Sequence, residues 1–174
     1  MRFIAFLRAI NVGGHTVTMV RLRALFGELG LRDVSTFIAS GNVRFETRAT
    51  SVAALEARVE SGLRAALGFE TATLIRTVAE LQAVAAFEPF GAPVAGETGY
   101  VGFLRSVPSS DGVARLMTHA TAVDMLHVHG RELYWRRRGP GAASRFSGST
   151  LERTLGMAAT LRNVTTVRKL AALP

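Results

Sequence analysis

Two short polar segments in the first half of the chain are suited to binding an anion. One is Asn11-Val12-Gly13-Gly14, and the other is Ser40-Gly41-Asn42. Glycine lets the backbone approach a ligand closely, and Asn and Ser supply hydrogen bonds. The first segment also precedes a helix predicted to begin near Thr18, whose N-terminal amides favour anions. Arg8 and Arg44 flank the two segments and would add positive charge.

These segments also have a purely structural interpretation. The first lacks the Lys and Ser/Thr of a P-loop and the third glycine of a dinucleotide-binding fingerprint. Gly13, Gly14 and Gly41 would then serve only to form tight turns. The residue types alone leave both interpretations open.

The second half of the chain carries more residues that could hold a phosphate or carboxylate. They are Ser144, Arg145, Thr160, Arg162 and Asn163. An arginine fork binds such groups in two places at once. The alternative is a solvated basic loop in which Asn163 is only a helix N-cap. We favour that alternative for Arg136–Arg138 and leave it open for Arg145 and Arg162.

Other chemistry is sparse in the sequence. His127 and His129 would lie on one face of a strand, but there is no cysteine and no acidic residue clearly placed beside them. We therefore expect surface histidines, no metal site and no cofactor. The serine hydrolase elbow G-x-S-x-G and the zinc motif H-E-x-x-H are both absent. The sequence assigns no reaction, so whether the protein is an enzyme stays open.

A repeated pattern indicates how these residues are positioned. Three segments of the first half reappear in order in the second: Phe3–Ile10 as Tyr100–Val107, Ile38–Phe45 as His127–Tyr134, and Thr73–Val78 as Ala159–Val164. Three echoes in one order indicate a duplication. The offset in residue number falls from 97 to 89 to 86, which predicts shorter connections in the second half.

Each half has the order strand, helix, strand, strand, helix, strand, which is that of a ferredoxin-like unit. We therefore predict an α+β fold with one unit at residues 1–88, a linker at 89–98 and a second unit at 99–174, which together could form one compact domain. Thr77-x-x-Glu80 and Ser149-x-x-Glu152 are expected to cap helices. Phe3–Leu7 has no polar alternation, which predicts a sheet buried on both faces. The topology also places the two first-half polar segments at the same end of the sheet.

Four separated motifs resemble those of the domain-of-unknown-function 1697 family of bacterial proteins. They are Phe3–Leu25, the F-I-A-S-G-N-V-R-F run at Phe37–Phe45, Ser144-Arg145-Phe146, and Thr160–Val167. The chain departs from the family pattern at Ala9, where Gly is usual, at Val164, where Trp is usual, and at Phe146. The resemblance implies two similar α+β units and no established activity. The same motif positions coincide with the polar segments described above.

Composition limits the remaining classes of function. The chain of 174 residues is 48% hydrophobic, with a net charge of +8, and residues 122–174 hold nine Lys and Arg against three Asp and Glu. We expect no transmembrane helix and no signal peptide, and hence a cytoplasmic location. The leading hypothesis is binding, with catalysis left open, of an anionic or phosphorylated small molecule in a cleft formed by the Gly/Asn/Ser loops and Arg. The alternative is a nucleic-acid-binding module that uses the basic second half.

Overall fold

The computed structural model describes residues 1–139 and 144–173 of the chain. Two compact units follow one another along it, Met1–Leu81 and Gln82–Pro174. The predicted domain limits at residues 88 and 99 stay a prediction.

The first unit contains one four-stranded antiparallel sheet with helices between its strands. Its elements are β1 (Arg2–Leu7), α1 (Met19–Glu28), β2 (Arg32–Phe37), β3 (Asn42–Glu46), α2 (Val52–Leu67) and β4 (Thr73–Thr77), followed by α3 (Val78–Ala86), which continues into the second unit. The strand order is β2-β3-β1-β4. The two outer strands are therefore joined through β3 and β1, as a ferredoxin-like unit requires.

The second unit repeats this arrangement. Its elements are β5 (Glu97–Leu104), α4 (Ser110–Met117), β6 (Asp124–His129), β7 (Glu132–Arg138), α5 (Gly148–Leu155), β8 (Ala159–Asn163) and α6 (Val164–Ala171). The strand order is β6-β7-β5-β8. The register repeats too, since Phe3 pairs with Thr77 and Tyr100 pairs with Asn163. The predicted α+β fold with two ferredoxin-like units is confirmed, and so is the equivalence of β1 with β5.

The hairpin in each unit differs from the predicted correspondence by one residue. Phe3 pairs with Phe45, and its equivalent Tyr100 pairs with Trp135, not with Tyr134. The offset is therefore 90 and not 89. The physical reason is the turn: residues 38–41 separate the paired Phe37 and Asn42, whereas only residues 130–131 join β6 to β7. The predicted correspondence sets Gly41 against Gly130, which lie in turns of different length. A one-residue shift moves each side chain to the other face of the sheet.

Two helix starts show where capping was predicted correctly and where it was wrong. Thr77 and Glu80 form the expected capping box, with Glu80 N donating to Thr77 Oγ1 at 3.1 Å and Thr77 N donating to Glu80 Oε2 at 2.7 Å. The N-cap of α5 is Ser147, not Ser149, because Ser147 Oγ accepts from Thr150 N at 3.2 Å. Glu152 instead accepts from Ala159 N at 3.1 Å, where β8 begins.

Each unit has its own apolar core between the helices and one face of its sheet. In the first unit Phe26 lies edge-on to Phe45, with ring centroids 5.6 Å apart. In the second unit Leu151 packs with Leu133 and Trp135. All residues of Phe3–Leu7 are buried, as the lack of alternation predicted. Across residues 1–139 and 144–173, no helix has the length and apolar character needed to cross a membrane.

Candidate functional site

The two polar segments of the first unit lie at the same end of its sheet, as the topology predicted, because Phe6 near the end of β1 pairs with Asn42 at the start of β3. Leu7 N, at the end of β1, donates to Gly41 O at 2.8 Å. Gly41 has φ +72°, and a Cβ built there would lie 2.8 Å from Ile10 Cγ2. The hairpin therefore packs against the chain directly before Asn11, and Gly41 has a structural reason to be glycine.

Polar side chains at this end hold the loops in shape. Asn11 Oδ1 accepts from Val17 N at 2.7 Å and so closes the loop that leads into α1. Asn42 is fully buried, and its side-chain amide donates to Phe37 O at 3.1 Å and to Ser40 Oγ at 2.8 Å. These contacts support the structural interpretation for Asn11, Ser40 and Asn42. Among the other predicted residues here, Arg8, Gly13 and Gly14 are exposed and Arg44 is half-buried.

Two residues beside these loops have left-handed backbone conformations that are unusual outside glycine. Ala9 has φ +53° and Ile38 has φ +50°, and Ile38 is 54% exposed. A β-branched residue in this region is a conformational outlier, and such strain costs about 1–3 kcal/mol. The sequence contained no turn signal at Ile38 that could have predicted it.

Arg162 is buried in the second unit. Its Nη1 donates to Thr160 Oγ1 at 2.7 Å and to Leu161 O at 2.9 Å, and burial lowers the pKa of Arg162 to about 10. The equivalent residue of the first unit, Arg76, is also buried and donates to Ile75 O at 2.9 Å. A buried arginine that recurs at the same strand position is a feature of the duplicated fold.

Ser144 belongs to a buried polar cluster that the sequence did not reveal. Asp124 is 2% exposed, and its Oδ1 accepts from Trp135 Nε1 at 2.8 Å and from Ser144 Oγ at 2.7 Å. Two donors satisfy this buried carboxylate, which would otherwise be costly. Arg145, in contrast, is exposed. Pro140 and Gly141, which follow the basic run Arg136–Arg138 in the sequence, lie outside the described residues.

A cavity of about 430 Å³ lies within the second unit. Its walls are residues 87–93, which we call the wall segment, the first half of β5, the middle of β7, and the start of α6. Asn163 borders the cavity and caps α6, because its Oδ1 accepts from Thr165 N at 2.8 Å. Aromatic side chains and two arginines contribute much of the lining.

One of these arginines, Arg136, fixes the wall segment in place. Its guanidinium donates to Phe90 O at 2.9 Å and also to Gly91 O, and lies over the Phe90 ring at 5.4 Å from the centroid. It also pairs with Glu97 at 3.5 Å, and the two side chains are only 12% and 10% exposed. The interpretation of Arg136 as part of a solvated loop is therefore wrong. It lies in β7, where it pairs with Gly99 of β5 and occupies the position equivalent to Glu46 at the end of β3.

The second arginine of the cavity, Arg168, is placed differently. It pairs with Glu88 of the wall segment, and the two side chains are 43% and 42% exposed. The sequence did not single out either residue. Their separation of 80 positions gives no local signal, and Glu88 was predicted to be the last residue of the first unit, directly before the linker at 89–98.

The two histidines of β6 lie beside the wall segment. His129 stacks on Phe87 with ring centroids 4.6 Å apart, and His127 lies 5.7 Å from the same ring. Within the described ranges, no group of three or more His, Asp or Glu side chains is arranged to hold a metal ion. The nearby Tyr134 is buried. This burial is the main cause of a raised pKa of Tyr134, and the negative charge of Glu132 raises it further.

A family model described as "Protein of unknown function (DUF1697)" matches residues 1–134. The chain belongs to the DUF1697 family. The matched region ends within β7, so it includes the first unit and the wall segment, whereas Arg136, Asn163 and Arg168 follow it. The resemblance found in the sequence motifs is thereby confirmed.

Comparison with other proteins supports the fold of this DUF1697 chain and assigns no activity to it. It is similar to the conserved bacterial protein SP0830 from Streptococcus pneumoniae, with 21% identity and a TM-score of 0.77. The similarity covers 98% of this chain and 96% of that one. At this identity the likeness shows the fold alone. A search of curated proteins found no match.

Proposed function

We propose that this protein binds a small anionic molecule, of the carboxylate or phosphate class, in the cavity of its second unit. The observation that carries the proposal is Arg168, a cavity-lining arginine paired with a half-exposed glutamate. Ion pairs between exposed side chains contribute about 0–1 kcal/mol, so an incoming anion can replace Glu88 at little cost. We assign binding and no reaction.

The surroundings of Arg168 also favour an anion. The helix α6 begins at the cavity, and the N-terminal end of a helix carries partial positive charge. A cavity of this size accommodates a small metabolite, and apolar lining with a few polar groups is typical of such sites. Asn163 is the residue that this site shares with the sequence-based hypothesis.

The remaining parts of the sequence-based hypothesis stay proposals. Binding at the exposed residues Arg8, Gly13 and Gly14 of the first unit stays a proposal of its own, and the cavity proposal does not depend on it. A bacterial source is supported by the bacterial relative, and a cytoplasmic location is proposed from the sequence. Nucleic-acid binding is less well supported, because Arg136 and Arg138 pair with Glu97.

Thermal unfolding in the presence of small anions tests the proposal. The panel contains inorganic phosphate, phosphorylated sugars and carboxylates, and short DNA and RNA are tested over a salt series. A ligand at about a hundred times its dissociation constant stabilises by roughly 2.7 kcal/mol, which is easily resolved.

Two matched variants give the panel its control. Arg168→Gln should remove the stabilisation by any anion that binds, whereas Arg21→Gln should retain it. Arg21 pairs with Glu28 at 2.9 Å on the exposed face of α1, so this variant removes the same charge from a comparable ion pair. Equal stabilisation of the two variants would refute the cavity as the site.

A further inference from the structure

Four charged side chains line the cavity, and they balance. Arg136 and Arg168 face Glu88 and Glu97. The Arg136–Glu97 pair is nearly buried, and breaking a buried pair leaves an uncompensated charge. The Arg168–Glu88 pair is more than 40% exposed on both sides, so water can replace either partner. Glu88 is therefore the carboxylate that an anion would replace.

The rest of the lining is strongly aromatic. Five aromatic side chains contribute to it: Phe87, Phe90, Tyr100, Tyr134 and Trp135. Tyr100 and Trp135 stack with ring centroids 4.5 Å apart, and Phe87 lies edge-on to Tyr134 at 5.0 Å. A ligand ring that packs against one of these side chains would form a further aromatic pair, and such a pair stabilises by about 0.5–1.5 kcal/mol beyond its buried area.

The wall segment keeps its place without the ion pair. Phe87 is stacked on His129, and Arg136 binds the carbonyl groups of Phe90 and Gly91. Glu88 lies between these two anchors, and Gly91 N donates to Glu88 O at 3.1 Å. The Glu88 side chain can therefore leave Arg168 by rotating, while the cavity wall stays fixed.

We propose that the cavity selects a planar ring bearing one anionic group, and that Glu88 is an internal competitor which the anion replaces at Arg168. This inference rests on the proposed function and adds the ligand class and the control of its affinity. The ring packs among the aromatic side chains, and the anionic group accepts hydrogen bonds from the Arg168 guanidinium. Removing the Glu88 charge leaves that arginine available and should raise the affinity.

Four probes separate the contribution of the planar ring from that of the anionic group. They are benzoate, its uncharged planar analogue benzamide, the puckered anion cyclohexanecarboxylate, and inorganic phosphate. The single tryptophan of the chain, Trp135, lines the cavity and reports binding through its fluorescence. We expect benzoate to bind about threefold to tenfold more tightly than cyclohexanecarboxylate because of the aromatic contacts. Benzamide should bind at least about tenfold more weakly than benzoate, because it lacks the charge-assisted hydrogen bonds.

Glu88→Gln tests the competitor. It should tighten benzoate binding about two- to fivefold, as the loss of an exposed ion pair implies, and leave benzamide binding unchanged. Glu28→Gln is the matched control, since it changes the net charge equally at an ion pair on α1. An equal effect of the two variants on benzoate would overturn the competitor role.

The probes also separate failure of this inference from failure of the proposed function. If phosphate binds in an Arg168-dependent way while benzoate has no advantage over cyclohexanecarboxylate, the ring selectivity is wrong and the anion site stands. If no anion depends on Arg168, both are wrong. Circular dichroism confirms that each variant folds.

Discussion

Gly41→Ala should destabilise the protein because of both backbone strain and a steric clash. Gly41 has φ +72°, and an added Cβ would lie 2.8 Å from Ile10 Cγ2 and 3.2 Å from Leu7 Cβ. The left-handed conformation costs an L-residue about 1–2 kcal/mol, and overpacking costs about 1–3 kcal/mol more. The expected loss in free energy of unfolding is therefore about 2–5 kcal/mol.

Gly13→Ala isolates the strain from the clash. Gly13 has φ +70°, almost the same conformation, but an added Cβ meets nothing within 4 Å. This variant should lose only about 1–2 kcal/mol. Urea denaturation followed by circular dichroism measures both, and thermal unfolding should place Gly41→Ala at least about 2 °C below the control. Equal losses would refute the conclusion that the hairpin packs against the end of β1.

Three further predictions concern single interactions. Asp124→Ala should cost about 1–3 kcal/mol in urea unfolding, because the buried indole N–H of Trp135 loses its acceptor; no loss would contradict that bond. Thr77→Ala should cost about 0.5–2 kcal/mol through the lost helix cap, whereas an unchanged urea midpoint would argue against the capping box. The hydrogen bond from Arg2 lowers the pKa of Glu46, although burial of this carboxyl partly opposes the shift. The Arg2–Glu46 pair therefore stabilises the folded protein above the ordinary pKa of glutamate, and this stabilisation is lost as pH falls through the lowered pKa. Glu46→Gln should flatten the pH dependence of the urea midpoint in that acid range. An unaltered profile would show that the Arg2–Glu46 pair does not cause this pH dependence.

The sequence predicted much of the fold because the duplication repeats patterns of local origin. The apolar run at Phe3–Leu7 and the capping pair Thr77 and Glu80 are each contained in a few consecutive residues. They can therefore be recognised in the sequence without knowledge of distant contacts. The correspondence of the hairpins was wrong by one residue, because turn length depends on the pairing of β2 with β3 and not on the position of Gly41. Register of this kind is set between strands.

The candidate site was less predictable because distant segments assemble it. Asn163 was identified from its capping position, but the Glu88–Arg168 pair joins residues 80 positions apart. Arg162 was a candidate ligand-binding residue with a structural alternative left open, and the structure shows it buried at the position equivalent to Arg76. The chemistry of an arginine fork is the same in both settings, so residue type alone does not distinguish a binding residue from a structural one.

Amide chemical shifts during titration with inorganic phosphate and, separately, benzoate test most directly whether the second-unit cavity is the anion site. The account predicts saturable shifts for at least one anion at Gly99, Val164 and Arg168, which border the cavity, and none at the buried Gly41 of the first unit. Arg168→Gln should abolish the shifts. Saturable shifts confined to Asn11–Gly14, or no saturable shift with either anion, would contradict it.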